Sequence, residues 1–315
     1  MAHRFLVQCV LCCVTASTIG CGADYRPEKS AGALNAAPTE DLASHGERRC
    51  HPSYRTLDVP GGTNADAFGI NDWGQIVGGF EDATGQRQGF LREPNGAFTV
   101  LTVPGSASNV ALDINNLGEV VGRTTDPNGV TRGFRLRKGV FSMFAFPGSD
   151  FTRARGGNDL GVATGNFFST EGIEHGFVLD IHGMHQVDYP GSSTTDVWDV
   201  DDFGRLVGDY SDTVGLVHAF TARHGEFQTI DFPGAAQSSA RGINLRGVVV
   251  GVAADADDTV EHGFIKVGSR YRQIDAPGSI TTNAFRINNW GVVVGSYVDA
   301  DGADHGFILA CADED

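Results

Sequence analysis

The feature that most constrains this chain is a Pro-Gly pair that recurs every 43 or 44 residues. The eleventh residue after each proline is Asn or Asp, and the eighteenth is always Gly. A phenylalanine follows that glycine after 12 residues, or after 13 in the fifth copy. The recurring prolines are Pro60, Pro104, Pro147, Pro190, Pro233 and Pro277. The chain from Tyr54 onwards is therefore six copies of one structural unit.

Each copy contains four short strand-like runs and no helical pattern. In the first copy these runs cover about residues 67–71, 75–80, 88–93 and 98–103. Four antiparallel strands repeated without helices are typical of the blades of a β-propeller. The sequence therefore predicts an all-β fold, a six-bladed β-propeller of four-stranded antiparallel blades. A β-solenoid is the alternative, but its coils pair in parallel, whereas tight turns between these runs indicate hairpins.

The phase of the repeat predicts how the ring closes. The chain enters with a fourth strand at about 54–59 and leaves with a third strand at about 305–310. The N-terminal strand should therefore join the last blade, which removes two exposed sheet edges.

Recurring glycines and phenylalanines have structural interpretations within each copy. Gly74 should take a left-handed conformation in a tight hairpin turn. A glycine inside the second strand, such as Gly78, suggests close packing of one sheet on another. The phenylalanine of the third strand, such as Phe90, should fill the core between sheets.

The N-terminal segment indicates export. Residues 1–20 have a basic start at Arg4, an apolar run and small residues, which together are typical of a signal peptide. The stretch Thr18-Ile19-Gly20-Cys21 resembles a bacterial lipobox, which would make Cys21 the lipidated N-terminus; cleavage after Ala16 or Ala23 is the alternative. We divide the chain into this signal, a flexible tether over 21–53 and the propeller over 54–315.

The cysteines are consistent with export. Cys9, Cys12 and Cys13 would leave with the signal and Cys21 would carry lipid, so Cys50 and Cys311 remain. These two flank the repeats at the predicted ring closure, where a disulfide would lock the ring. Two unpaired buried thiols are the alternative.

The charge balance limits the partners. The formal net charge is −16, which argues against a nucleic-acid partner, because phosphates require clustered Lys and Arg. No segment after the signal is long and apolar enough for a transmembrane helix. We expect a monomer that is secreted or is a surface or periplasmic lipoprotein, with membrane contact only through a lipid at Cys21.

The repeat resembles the extracellular repeat of the HAF family. His218-Ala219-Phe220 matches the tripeptide of the family's name, and His175, His262 and His305 stand at the same place with Gly next. The first two copies depart, with Gln88 and Arg132 there. The resemblance covers about residues 54–310. It implies an exported bacterial protein and supplies no catalytic residue.

Metal binding has weak support in the sequence. The four repeated histidines would lie in separate blades and should form hydrogen bonds locally, because zinc requires converging ligands. The stretches 299–304 and 255–258 are rich in carboxylates, which suit calcium. Asp and Gly also favour turns there, so we expect no cofactor, with calcium as the alternative.

Charged residues that break the repeat near the first strands are candidates for ligand binding in the channel. They could bind a polar ligand or pair with one another. We find no serine-nucleophile motif, phosphate loop or dinucleotide fingerprint in the sequence. These candidates are Asp113, Arg155, Asp199, Arg241 and Arg286.

The third residue of the first turn is large and apolar in five copies. Trp73, Leu117, Leu160, Phe203 and Trp290 hold this position, with Arg246 in the fifth copy. Such side chains could pack on the next blade or serve as anchors, Trp73 and Trp290 above all, for a protein or glycan. The sequence favours a non-catalytic binding or structural module. A carbohydrate-acting hydrolase or lyase that uses the channel mouth is the alternative.

Overall fold

The computed structural model describes residues 51–312, and these form 24 strands in six sheets. No helix occurs within this range, so none is present there that could cross a membrane. The predicted signal peptide, most of the tether, Cys21 and Cys50 lie outside the described residues.

Each sheet is one antiparallel, four-stranded blade, and five blades use consecutive strands. Blade 1 contains β2 (Thr63–Ile70), β3 (Ile76–Glu81), β4 (Arg87–Arg92) and β5 (Phe98–Leu101). Blade 2 contains β6 (Ser108–Ile114), β7 (Val120–Thr125), β8 (Thr131–Arg137) and β9 (Val140–Phe144). Blade 3 contains β10 (Thr152–Gly157), β11 (Ala163–Phe168), β12 (Glu174–Asp180) and β13 (Gly183–Val187). Blade 4 contains β14 (Thr194–Val200), β15 (Leu206–Ser211), β16 (Val217–Arg223) and β17 (Glu226–Thr229). Blade 5 contains β18 (Ser238–Ile243), β19 (Val249–Ala254), β20 (Glu261–Val267) and β21 (Arg270–Ile274).

Blade 6 closes the ring as the repeat phase predicts. It contains β22 (Thr281–Ile287), β23 (Val293–Val298) and β24 (Asp304–Ala312), and β1 (His51–Leu57) is its fourth strand. β1 pairs antiparallel with β24 over its full length. The predicted six-bladed propeller is confirmed, although β1 begins at His51, three residues before the expected start.

The first strands of neighbouring blades contact one another around the centre of the ring. The recurring phenylalanines lie between the blades and are 0–1% exposed. They are the largest fully buried side chains among residues 51–312, which confirms their predicted place in the core. These side chains are Phe90, Phe134, Phe177, Phe220, Phe264 and Phe307.

The glycine of the second strand is required by contacts within its own blade. A Cβ at Gly208 would lie 2.1 Å from the carbonyl oxygen of Asp196 in the adjacent strand and 2.8 Å from the Phe220 ring. The predicted close approach is real, but its attribution to a neighbouring sheet is wrong. The turn glycine agrees with the sequence prediction, since Gly74 has a φ of 77°.

Replacing Gly208 with alanine should therefore destabilise the fold, because a backbone carbonyl cannot move away as a flexible side chain can. We expect Gly208→Ala to lower the free energy of unfolding by about 2–3 kcal/mol in urea titrations. Gly157→Ala is the matched control, because its nearest neighbours would lie at 3.5 Å. Equal stabilities of the two variants would contradict this explanation.

Candidate functional site

A β-bulge in the first strand of every blade places two consecutive residues towards the channel. In blade 1 the register shifts between Ala67 and Gly69, which leaves Phe68 without a partner residue in β3. A bulge re-aims side chains, so the bulged residue and the residue after it can both face the centre. The bulged residues are Phe68, Leu112, Arg155, Trp198, Arg241 and Phe285.

The residue after the bulge alternates between glycine and a charged residue around the ring. A Cβ at Gly69 would lie 2.7 Å from Asp113 Cα, and one at Gly156 would lie 2.8 Å from Asp199 Cα. Three glycines therefore leave the space that three charged side chains occupy. In blade order these residues are Gly69, Asp113, Gly156, Asp199, Gly242 and Arg286.

Arg286 extends from blade 6 into the centre of the channel and joins two carboxylates. Its Nε donates to Asp113 Oδ1 at 3.0 Å, and its Nη1 lies 3.0 Å from Asp199 Oδ2. Nη1 and Nη2 also donate to the carbonyl oxygens of Arg241 and Arg155, each at 2.7 Å. We call Arg286, Asp113 and Asp199 the channel plug, because one guanidinium bonds to blades 2, 3, 4 and 5.

Burial dominates the electrostatics of the channel plug. Burial raises the pKa of Asp199 to about 7; Arg286 opposes this shift, and the nearby Asp113 carboxylate adds to it. The pKa of Asp113 is raised as well, since burial outweighs the attraction of Arg286. Each carboxylate also accepts a backbone hydrogen bond from the next blade, Asp113 from Gly157 N and Asp199 from Ile243 N, both at 2.9 Å.

The remaining two channel candidates, Arg155 and Arg241, stack on the ring of Trp198. The guanidinium carbon of Arg155 lies 3.4 Å from the centre of the Trp198 ring, and that of Arg241 lies 4.7 Å from it. Arg155 forms a buried ion pair with Asp196, and Arg241 donates to Asn283 Oδ1 at 2.8 Å. The structure therefore brings all five predicted channel residues to the centre, where they bond mainly to the protein itself.

A ring of side-chain amides ties the blades together beside the channel plug. Asn71 Nδ2 donates to the carbonyl oxygen of Asn115 in the next blade, and Asn115, Asn158, Asn244 and Asn288 repeat this contact at 2.9–3.1 Å. In blade 4 this position is Asp201, whose carboxylate cannot donate such a hydrogen bond. Arg205 pairs with Asp201 and reaches the carbonyl oxygen of Asn244 at 3.3 Å in its place.

Sequence reasoning identified this amide position only as part of the repeat. A signal for its role was present, since the copy that has Asp201 in place of Asn also has an arginine four residues later. The bond to the neighbouring blade depends on how close two turns lie, and the sequence does not state that distance.

The channel opens at the turns between first and second strands through a small mouth. The cavity measures about 80 Å³, and Arg286 and Asp199 lie at its floor. The second residues of the six turns surround it. These mouth residues are Asp72, Asn116, Asp159, Asp202, Leu245 and Asn289.

The third residues of five of these turns are apolar, exposed and placed around the mouth, and we call these five the crown; Arg246 takes the position in blade 5. Its members, Trp73, Leu117, Leu160, Phe203 and Trp290, are 56–70% exposed. The indole Nε1 of Trp73 donates to the carbonyl oxygen of Asn116 at 2.9 Å, and that of Trp290 to Asp72 at 3.0 Å. Neighbouring blades thus hold the indoles, while Trp73 and Trp290 are 68% and 70% exposed.

The opposite face of the ring carries the repeated histidines. His218 Nδ1 lies 2.7 Å from Asp231 Oδ2, and His305 Nδ1 lies 2.8 Å from Asp58 Oδ1. Both contacts are within one blade, as are those of His175 and His262. The predicted local bonding of the histidines is confirmed.

The calcium candidates also lie in turns on that face. Asp299 Oδ1 accepts the backbone N–H groups of Asp301 and Ala303, both at 2.9 Å. Asp255 Oδ1 accepts Thr259 N at 2.7 Å. No group of three His, Cys, Asp or Glu side chains within 51–312 is arranged to hold a metal ion. The expectation of no cofactor, with calcium as the alternative, stays a prediction.

Several solved structures share this fold. TolB from Acinetobacter baumannii is 11% identical with a TM-score of 0.56, covering 76% of this chain and 64% of TolB. The β-propeller domain of the Trilobed protease from Pyrococcus furiosus is 12% identical with a TM-score of 0.54, covering 80% of each chain. A mutant Aleuria aurantia lectin in complex with Fucα1-6GlcNAc is 11% identical with a TM-score of 0.50, covering 82% of this chain and 96% of the lectin.

No protein-family model and no curated protein matches the chain. At these identities the structural similarity shows the β-propeller fold alone.

The raised pKa of Asp199 predicts how stability depends on pH. Its folded-state pKa of about 7 lies above the ordinary value of 3.8, so the folded state binds a proton more strongly than the unfolded state. The resulting stabilisation is fully present below the ordinary pKa and is lost as the pH rises through about 7. Glu174, with a pKa raised to about 7, acts in the same direction.

We therefore expect a higher melting temperature at about pH 5.5 than at about pH 8.5. Asp199→Asn should reduce this difference because the amide does not titrate, whereas Asp301→Asn in an exposed turn should preserve it. A wild-type protein that melts at a higher temperature at the alkaline pH would contradict the assignment.

Proposed function

We propose that this protein is a non-catalytic binding module and that the crown face, the face of the ring with the crown and the mouth, binds a protein or a glycan. One observation carries the proposal. Five equivalent turns present large apolar side chains that are more than half exposed, and these side chains surround a single mouth. Large exposed apolar side chains grouped on one face with polar groups beside them are characteristic of interaction sites.

The channel plug supports surface binding over passage through the ring. Arg286 occupies the centre and bonds to four other blades, so a ligand reaches the floor of the mouth and no further. The lectin among the similar structures is a propeller whose described complex contains a glycan. That example fits a binding role for this fold.

The alternative function, a carbohydrate-acting hydrolase or lyase, would need Asp113 and Asp199 to reach a substrate. Both carboxylates are 3–4% exposed and bonded to Arg286. A general acid or a nucleophile has to contact the reacting atoms. The geometry at these two residues therefore favours binding over hydrolysis.

We propose that the protein is exported from the cytoplasm and that it is a monomer. Cys21 would carry a lipid anchor, in keeping with the signal-like N-terminus and the resemblance to the HAF repeat. A Cys50–Cys311 disulfide would fix the closing strand, since Cys311 lies opposite Pro52, two residues beyond Cys50. Secretion without lipid is the alternative.

Metabolic labelling of the full chain with palmitate tests the anchor. We expect incorporation into the wild type and none into Cys21→Ser, because the thiol is the acceptor. Non-reducing peptide mapping of the same sample should recover Cys50 joined to Cys311. Equal labelling of both proteins, or two free thiols in the peptide map, would contradict the respective part of the proposal.

Removal of the crown aromatics tests the binding role. We expect Trp73→Ala/Trp290→Ala to weaken binding by at least about tenfold, because anchor residues of this type contribute about 2 kcal/mol or more each. Binding is measured as the amount of each protein variant retained on a glycan array and on an array of peptides taken from exposed loops of other proteins. The matched control is Ile181→Ala/Val214→Ala, which removes apolar side chains that are 91% and 76% exposed outside the crown. A crown variant that binds as the control does would contradict the proposal.

A further inference from the structure

The mouth contains three carboxylates that no cation of the described chain neutralises by an ion pair. Asp72 Oδ2 accepts Asn116 Nδ2 at 3.0 Å and Asn289 Nδ2 at 2.7 Å, and Asp159 Oδ2 accepts Asn116 Nδ2 at 3.0 Å. Asp202 Oδ1 accepts the backbone N–H of Asp159 at 3.0 Å. The three side chains thus form one arc from blade 1 to blade 4, held in place by neutral amide groups.

Two of the three arginines near the mouth are paired with other carboxylates, and the third, Arg246, is exposed at the crown position of blade 5. Arg286 is bonded to Asp113 and Asp199, and Arg205 is bonded to Asp201. Three mouth carboxylates against the single charge of Arg246 leave an excess of negative charge, and its effect is visible at Asp202. The pKa of Asp202 is raised, first by burial and then by the neighbouring carboxylates Asp159, Asp201 and Asp72.

The size of the mouth limits what can enter it. One buried water needs about 10–15 Å³, so a cavity of about 80 Å³ has room for about five to eight waters. An ammonium or guanidinium group fits such a space.

We propose that the crown face binds an exposed peptide segment that inserts a lysine or arginine side chain into the mouth, between Asp72, Asp159 and Asp202. Apolar residues next to that lysine or arginine in the peptide pack on the crown. The rings of Trp73 and Trp290 attract the cationic group as it enters the mouth. This inference rests on the proposed function and names the class of its partner. The supporting observation is charge complementarity within an apolar rim.

The same charges disfavour a second copy of this chain as the occupant. A face-to-face dimer would bring six mouth carboxylates together, and the formal charge of each chain is −16. Like charges in partly buried positions repel one another and lower affinity. The crown is therefore better suited to a basic partner than to self-association.

The experiment uses a library of octapeptides with a fixed central lysine and randomised apolar flanks. A matched library carries Nε-acetyl-lysine, and a panel of neutral oligosaccharides that includes fucosylated ones is tested in parallel. The full chain is applied at low salt, and retention is compared for three variants. They are Asp159→Asn/Asp202→Asn, Trp73→Ala/Trp290→Ala and the control Asp257→Asn/Asp301→Asn from turns on the opposite face.

We expect the wild type to bind lysine peptides about tenfold more tightly than acetyl-lysine peptides, with affinity that falls as salt rises. The carboxylate and crown variants should both lose this binding, and the control should keep it. Because the acetyl-lysine comparison uses the wild type, the test is decisive even if a variant folds poorly.

The remaining outcomes separate this inference from the proposed function. Crown-dependent retention of neutral oligosaccharides, with no preference for lysine, would overturn the inference and leave the binding role in place. Equal binding of the two peptide libraries would also overturn it. Failure to bind either panel, or binding that the crown variant does not change, would overturn both.

Discussion

The structure depends on one guanidinium in the middle of the ring. Arg286 is 4% exposed and bonds to residues of blades 2, 3, 4 and 5 from its own place in blade 6. A buried cation is tolerated only when carboxylates and hydrogen-bond acceptors surround it. Asp113 and Asp199 provide the charge, and the carbonyl oxygens of bulged residues complete the shell.

Local geometry around the first strands makes the channel plug possible. The bulge aims two successive residues at the centre, and glycines at 69, 156 and 242 keep every second position empty. The ring of amides from Asn71 to Asn288 then fixes the spacing between blades. A three-residue charge cluster thus fits a six-fold repeat, because alternate copies are small where the others are charged.

The fold was predictable from the sequence because it depends on spacing. The recurring proline, turn glycine and phenylalanine define strand ends, turns and core, and the repeat phase predicts that β1 completes blade 6. The channel plug was only partly predictable. Asp113, Asp199 and Arg286 stand out as breaks in the repeat, but their pairing spans as many as 173 residues of sequence and needs the closed ring.

Other features of the site also depend on distances in space that the sequence does not give. Arg155 and Arg241 belong to the bulged position, one residue before the channel-plug position, and nothing in the spacing reveals the bulge. Exposure of the crown could not be inferred either, since a turn residue can pack on the next blade or stand in solvent. The structure shows that Trp73 does some of both, because its indole N–H is bonded to blade 2 and the residue is 68% exposed.

Because the channel is closed, the proposed binding role belongs to the crown face. With Arg286 at the floor of the mouth, the proposed partner would contact the carboxylates of Asp72, Asp159 and Asp202 and the apolar side chains around them. The scaffold is thus nearly uniform, and the charged residues of the channel and the mouth stand at positions where the six copies differ.

The most direct test of this account is the free energy of unfolding of Arg286→Met at about pH 8, compared with that of Arg286→Met/Asp113→Asn/Asp199→Asn. Loss of the guanidinium should leave two buried carboxylates unpaired and lower the stability by about 3–5 kcal/mol. The triple variant should recover a large part of that loss, because it removes the unpaired charge. A single variant as stable as the wild type would show that the ring does not depend on Arg286.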